Sequence, residues 1–156
     1  MSLARDLASG DRKIIKKTLF SLLKKVTAPD VLALEEVWKK ARILSNKVYP
    51  LTFKEPIASD FRMKDQMRGS VGSIMDNIAE GFERGSKLEF INSLTVSKGE
   101  TGELKSQLYR CLDNKYISQK LFDELYSLAD EITKMITGFI NYLNKSKIKG
   151  QKFKNR

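Results

Sequence analysis

The sequence predicts an all-α fold, an up-down-up-down four-helix bundle with an additional short N-terminal basic amphipathic helix. Three observations carry that expectation. Apolar residues recur at alternating three- and four-residue spacing over stretches much longer than a strand. Only three prolines interrupt the 156 residues, and the breaks between stretches carry the residues that start and stop helices. A chain of this length with 41% hydrophobic and 31% charged residues is one globular domain, able to bury about two thirds of its unfolded surface.

The elements follow in order. Asp11 to Val26 places Ile15, Leu19, Leu22 and Val26 at helical spacing among lysines, which predicts the short basic helix. Pro29 ends it, since the residue before a proline is pushed from helical geometry, and Asp30 is placed to cap the next helix. From Val31 to about Val48 the stripe is Leu34, Val37, Trp38, Ala41, Leu44 and Val48, closed by Pro50 and Pro56, with an ordered loop from Pro50 to Ser59. The third stretch starts at Asp60, carries Phe61, Met67, Val71, Ile74, Ile78 and Phe82, and stops at Gly85. Ser86 and Glu89 form a capping box, and behind it run Leu88, Ile91, Leu94, Thr101, Leu104, Leu108 and Leu112, ending near Asp113 and Asn114. Ser118 caps the last helix, with Leu121, Leu125, Leu128, Ile132, Met135 or Ile136, Phe139 and Leu143 on one face. Two glycine pairs, Gly69 with Gly72 and Gly99 with Gly102, sit inside helical stretches. Glycine there costs about 1 kcal/mol relative to alanine, so the pairs mark either close helix crossings, the preferred reading, or weak spots.

The chain thus divides into a basic extension (residues 1–30), the bundle (31–143) and a basic, flexible tail (144–156). Charge follows the same division. Of the net +10, residues 1–30 hold +4 and residues 141–156 hold +6, while residues 31–140 balance to zero. Excess positive charge confined to two arms points to a polyanion, a nucleic acid or an anionic surface. Four antiparallel helices bring the start of the first and the end of the last to one pole, so the two arms form one patch. The residues expected to grip phosphates are Arg12, Lys13, Lys16, Lys17, Lys24 and Lys25 in the first arm, and Lys145, Lys147, Lys149, Lys152, Lys154 and Arg156 in the second.

Much chemistry is excluded. Histidine is absent and Cys111 is the single cysteine, so no Ser-His-Asp triad, Cys-His pair, disulfide or His-bearing zinc or di-iron site can form. No phosphate loop or Asp-rich calcium loop is present. The expectation is a non-enzyme with no cofactor and no metal. Glu80, Glu100 and Glu103 are the only carboxylate set worth weighing as metal ligands, and pairing with cations is the better account of them. No apolar run approaches the length of a membrane span and no signal peptide opens the sequence, which predicts a cytoplasmic protein.

The residues Asn77-Ile78-Ala79-Glu80-Gly81-Phe82, preceded by Gln66-Met67-Arg68 and followed by Ser86, Glu89 and Phe90, resemble a four-helix-bundle family. It comprises proteins encoded in intervening sequences of bacterial 23S rRNA genes, also called S23 ribosomal proteins. Accessory proteins of diversity-generating retroelement reverse transcriptases are a related group. Looser matches are Trp38 to Ala41, Val48-Tyr49, Leu51-Thr52, Glu103-Leu104, Gln107-Leu108 and Tyr116-Ile117. The sequence departs from the family at Met75-Asp76, where Pro-Ser is frequent, and at Gly69 and Gly72, where alanine and serine are usual. The resemblance implies a bundle in a five-fold homo-oligomeric ring that binds RNA or DNA without catalysis, with ribosomal RNA or a reverse transcriptase as candidate partners.

The matching motif residues are read as structural. Glu80 and Arg84 are one turn apart and can pair, and Asn77, Glu80, Arg84 and Glu89 form either a ligand site or, the preferred reading, a set that ties the corner between two helices by hydrogen bonds and ion pairs, with Gly81 and Phe82 counted as structural members of the motif. Arg68 is either a phosphate contact or an ion-pair partner, the latter preferred. Phe90, Tyr109, Phe122 and Tyr126 lie off the main stripes and suggest apolar surface for a second copy. The competing function is a peripheral membrane or protein-docking adaptor that uses Asp11 to Val26 as an interfacial helix.

Overall fold

The computed structural model describes residues 28–84 and 86–146. Among them the regular structure is four long helices, α1 (Ala28–Val48), α2 (Phe61–Glu83), α3 (Lys87–Asp113) and α4 (Gln119–Lys145). Two 3-10 turns, Tyr49–Phe53 and Ile57–Ser59, join α1 to α2. The bundle expected from periodicity is thus present. The basic helix expected over Asp11 to Val26 lies outside the described residues.

The stripes form the core, with informative exceptions. Every α1 position expected inside is buried, as are Met67, Val71, Ile74, Ile78 and Phe82 of α2 and Leu125, Ile132, Ile136, Phe139 and Leu143 of α4. Phe61 and Leu88, each counted into a stripe, are instead exposed at 71% and 63%. At 3.6 residues per turn Phe61 lies well round α2 from buried Met63 and Met67, and Leu88 well round α3 from buried Leu94, so neither is on the face that packs inward, and Met63 takes the inward position that Phe61 leaves. Helix α1 starts at Ala28, so Pro29 is tolerated in its first turn, where a missing N–H breaks no bond. Asp30 is inside the helix and is not its cap. The caps expected at Ser86 and Ser118 are present, Ser86 Oγ accepting from Glu89 N–H at 3.4 Å and Ser118 Oγ from Leu121 N–H at 3.2 Å, and Asp60 also caps α2, accepting from the Met63 N–H at 2.9 Å.

Helices α2 and α3 pack closely through small polar side chains. Ser97 Oγ donates to the Ile74 carbonyl at 2.9 Å, and Gln107 Nε2 donates to Ser70 Oγ at 2.9 Å. Ser70, Ser93, Ser97 and Thr101 are buried among leucines. The close approach falls at Gly81, where an added Cβ would lie 2.5 Å from Ser93 Cβ. The expectation for the glycine pairs is overturned: a Cβ at Gly69, Gly72, Gly99 or Gly102 meets nothing within 4 Å. Serine is small enough for this crossing everywhere but at Gly81.

Ion pairs fix the order of the ends. Lys40 reaches Glu131 at 2.9 Å and Lys47 reaches Glu124 at 2.5 Å, so α1 and α4 run antiparallel, and Lys87 Nζ donates to the Ser146 carbonyl at 3.1 Å. The start of α1, the end of α2, the start of α3 and the end of α4 therefore share one pole, the corner pole. The opposite pole, the loop pole, carries the 3-10 turns and the turn between α3 and α4.

Candidate nucleic-acid interface

At the corner pole α2 turns into α3, and the motif residues gather there. Gly81 lets Ser93 approach, and Phe82 meets Phe90 edge-on with centroids 5.9 Å apart. Phe90 in turn meets Phe139 of α4 edge-on at 5.7 Å. Edge-to-face stacking adds about 0.5–1.5 kcal/mol per pair to the burial of the rings. Arg84 pairs with Glu80 on the exposed surface of α2. The bonded Glu80 carboxylate raises the guanidinium's affinity for its proton, with a small contribution from Glu89. Asn77 does not tie the corner: its Nδ2 donates to the Ser73 carbonyl at 2.8 Å and to Ser73 Oγ at 3.1 Å, all within α2. The corner is closed by ring packing and the Ser86 cap, with Arg84 paired to Glu80 and acted on by the Glu89 charge beside them.

Of the twelve expected phosphate contacts, Lys145 is described, exposed in the last turn of α4 at this pole. Arg12, Lys13, Lys16, Lys17, Lys24, Lys25, Lys147, Lys149, Lys152, Lys154 and Arg156 lie outside the described residues. What the structure fixes is the position of residues 28 and 146, from which both arms leave at the same pole.

The loop pole holds a second cluster, which periodicity alone does not find. Arg68, half-buried on α2, donates from Nε to Thr52 Oγ1 at 2.8 Å, and the buried Thr52 hydroxyl donates to the Tyr49 carbonyl at 2.7 Å. The Arg68 guanidinium lies 5.0 Å from the ring centre of Tyr49 and 4.4 Å from that of Phe53. Those rings are 5.4 Å apart, edge to face, and 44% and 63% exposed. One turn back along α2, Lys64 Nζ sits 4.5 Å from the Phe61 ring centre. Asp60 underpins the arrangement, with one oxygen on the Met63 N–H and the other accepting from Tyr116 Oη at 3.1 Å. That bond holds the Tyr116 phenol above its ordinary pKa. The sequence signal, legible afterwards, was three aromatics at 49, 53 and 61 flanked by Lys54, Arg62 and Lys64.

The remaining expectations sort as follows. Among the described residues no three acidic or cysteine side chains group as a metal site, and no helix is long and apolar enough to cross a membrane. Cys111 is buried against Met67, with Sγ and Sδ 3.8 Å apart, and burial pushes its thiol up to about 11. The apolar surplus expected off the main stripes is largely absorbed inside the chain. Phe122 is buried, Phe90 packs in the corner, and Tyr126 stacks on Phe122 at 5.3 Å, which leaves Tyr109 half-exposed.

Comparisons with known proteins agree with this geometry. Residues 35–138 match the family described as 23S rRNA-intervening sequence protein. A solved structure from Bacteroides thetaiotaomicron VPI-5482, a protein of unknown function from the S23 ribosomal protein family, superposes with a TM-score of 0.65 at 24% identity. The superposition covers 70% of this chain and 98% of that one, and it shows a shared fold. No curated protein matches the chain.

Proposed function

The chain belongs to the 23S rRNA-intervening sequence protein family, and from that premise we propose that it is a non-catalytic, oligomeric bundle that binds nucleic acid through two basic arms at the corner pole. The observation that carries this reading is the shared pole of the first turn of α1 and the last turn of α4. It brings arms of +4 and +6 together on a body with no net charge. The partner is structured RNA or an RNA/DNA, with ribosomal RNA or a reverse transcriptase complex as its setting. Contacts to phosphate give affinity without sequence choice.

Oligomerisation is part of the reading. Gly69, Gly72, Gly99 and Gly102 face open space in one chain, where each costs helix stability with no return. A second copy packed against them gives them a purpose, and a closed ring such as the family resemblance implies repeats the basic pole around one axis. Light scattering of the full chain is expected to give a multimer, and replacing Gly99 and Gly102 by leucine to reduce it to the single-chain mass. A monomer at micromolar concentration refutes this part.

Binding is tested by titrating a labelled RNA hairpin at several salt concentrations. Affinity is expected to fall with a log-log slope of about 0.7 to 0.9 per phosphate neutralised. Deleting residues 147–156 flattens the slope, and changing Lys13, Lys16, Lys17, Lys24 and Lys25 to glutamine flattens it further. Unchanged binding by that doubly altered protein at about 0.15 M salt, where exposed charges are screened within about 8 Å, refutes the arms as the grip.

A further inference from the structure

We propose that the loop pole is a stacking platform for unpaired bases of single-stranded nucleic acid, with Tyr49, Phe53 and Phe61 as its rings and Arg68 and Lys64 as the cations between them. It rests on nucleic acid being the partner but not on the basic arms, which leave from the opposite pole.

Burial is the first ground. Large aromatic side chains are normally drawn inside, yet these three are 44%, 63% and 71% exposed, all at one end of the bundle. Their neighbours are the second ground. Each ring has a cation against it: Arg68 at 5.0 and 4.4 Å from Tyr49 and Phe53, Lys64 at 4.5 Å from Phe61. A ring awaiting an apolar protein surface gains nothing from a cation beside it, because that charge is then stripped of water on docking. A base gains from both, stacking on the ring while its phosphate meets the charge.

Spacing is the third ground. Phe61, Lys64 and Arg68 fall at three- and four-residue intervals on one stripe of α2. Seven residues of helix carry the stripe about 10 Å. Charge also agrees. Lys54 and Arg62 are exposed with no partner among the described residues. Of the acids nearby, Asp60 is occupied by the Met63 N–H and Tyr116, and Glu55 accepts from Ser59 Oγ at 2.8 Å, while Asp65 is exposed. Finally, the platform is held in shape before anything binds. Arg68 is bonded to buried Thr52, which is bonded to the turn that carries Tyr49 and Phe53. A duplex keeps its bases stacked on one another and offers these rings nothing, so the ligand class is unpaired strand.

The test uses the full chain and two labelled probes, a twelve-nucleotide oligouridine and an RNA hairpin with a minimal loop. Changing Tyr49 and Phe53 together to alanine is expected to weaken oligouridine binding by roughly tenfold or more, with hairpin binding and the salt slope unchanged. Phe53→Trp keeps a ring at an exposed site, so it keeps affinity, and its emission is quenched by oligouridine beyond any change seen for the parent, whose Trp38 is buried. Equal oligouridine affinity for parent and double variant overturns the platform, as does absence of quenching. A loss of oligomer mass in the double variant also overturns it and makes a second copy the occupant. Neutralising the arms is the control that separates the two sites. Hairpin binding lost with the arms but oligouridine binding lost only with the rings supports both, and oligouridine binding lost with the arms alone overturns the platform while leaving the corner pole intact.

Discussion

The two poles use the same residue type to opposite ends. At the corner pole Phe82, Phe90 and Phe139 meet one another edge-on and are mostly buried. At the loop pole Tyr49, Phe53 and Phe61 meet cations and stay in water. At the corner the rings gain by leaving water together, while at the loop pole each ring lies beside a cation that stays solvated.

The largest expected effect tests that difference directly. Phe139→Ala removes a buried ring that joins α4 to the corner, and a loss of about 3 kcal/mol or more in urea denaturation is expected. Phe53→Ala removes an exposed ring and is expected to cost no more than about 1 kcal/mol, the contact with Arg68. Similar losses at the two sites would erase the distinction between the poles.

Next comes Gly81→Ala. Alanine gains about 1 kcal/mol of helix propensity, but its Cβ would stand 2.5 Å from Ser93 Cβ, attached directly to the α3 backbone and unable to swing away. A net loss of about 1–3 kcal/mol is expected. The same change at Gly69, with nothing within 4 Å, is expected to stabilise the isolated chain by up to about 1 kcal/mol. A neutral Gly81→Ala in the same denaturation series means the helices can separate at the corner.

These contrasts mark how much was legible in the sequence. Among the described residues the helices of the bundle, their limits to within a few residues and two of the three expected caps, Ser86 and Ser118, follow from spacing and capping chemistry, because they depend on neighbours within a turn. The motif Asn77 to Phe82 was legible as a motif, and so was the pair of its Glu80 with Arg84, but the roles of Asn77 and Gly81 were not. Asn77 turns back onto its own helix, and the glycine that matters is Gly81 because Ser93, twelve residues on, packs there. Exposure at Phe61 and Leu88 was legible in principle, since each stands six residues before a buried side chain, Met67 and Leu94, and so lies about a third of a turn off the face that those bury. The loop-pole cluster needs Tyr49, Phe53 and Arg68 brought together by two turns, which no periodic pattern encodes.

Arg68→Ala is the next step down. It removes the bond to Thr52 and both ring contacts, and a loss of about 1–2 kcal/mol is expected. Arg68→Lys should recover little of it, since an ammonium cannot lie flat against two rings while donating sideways to a hydroxyl. Full recovery with lysine, measured by the same denaturation, would reduce Arg68 to a point charge.

The smallest effect concerns how the loop pole is fastened. The corner is closed by rings, whereas the loop pole is tied by the bond from Tyr116 Oη to Asp60, which also caps α2. The Asp60 carboxylate raises the Tyr116 pKa above its ordinary 10, so the phenol stays protonated longer in the folded chain than in the unfolded one. A folded pKa above the unfolded value gives stability that is complete below about pH 10 and fades as pH rises through the higher folded value. Absorbance of tyrosinate near alkaline pH should therefore show Tyr116 ionising late, together with Tyr109, which Tyr126 holds up in the same direction. Tyr116→Phe should remove one late step and leave the other, and the variant's stability should fall less between neutral and alkaline pH than the parent's. Should Tyr116 ionise with the ordinary tyrosines, the bond to Asp60 is not formed in solution, and the loop pole is fastened by Arg68 and Thr52 alone.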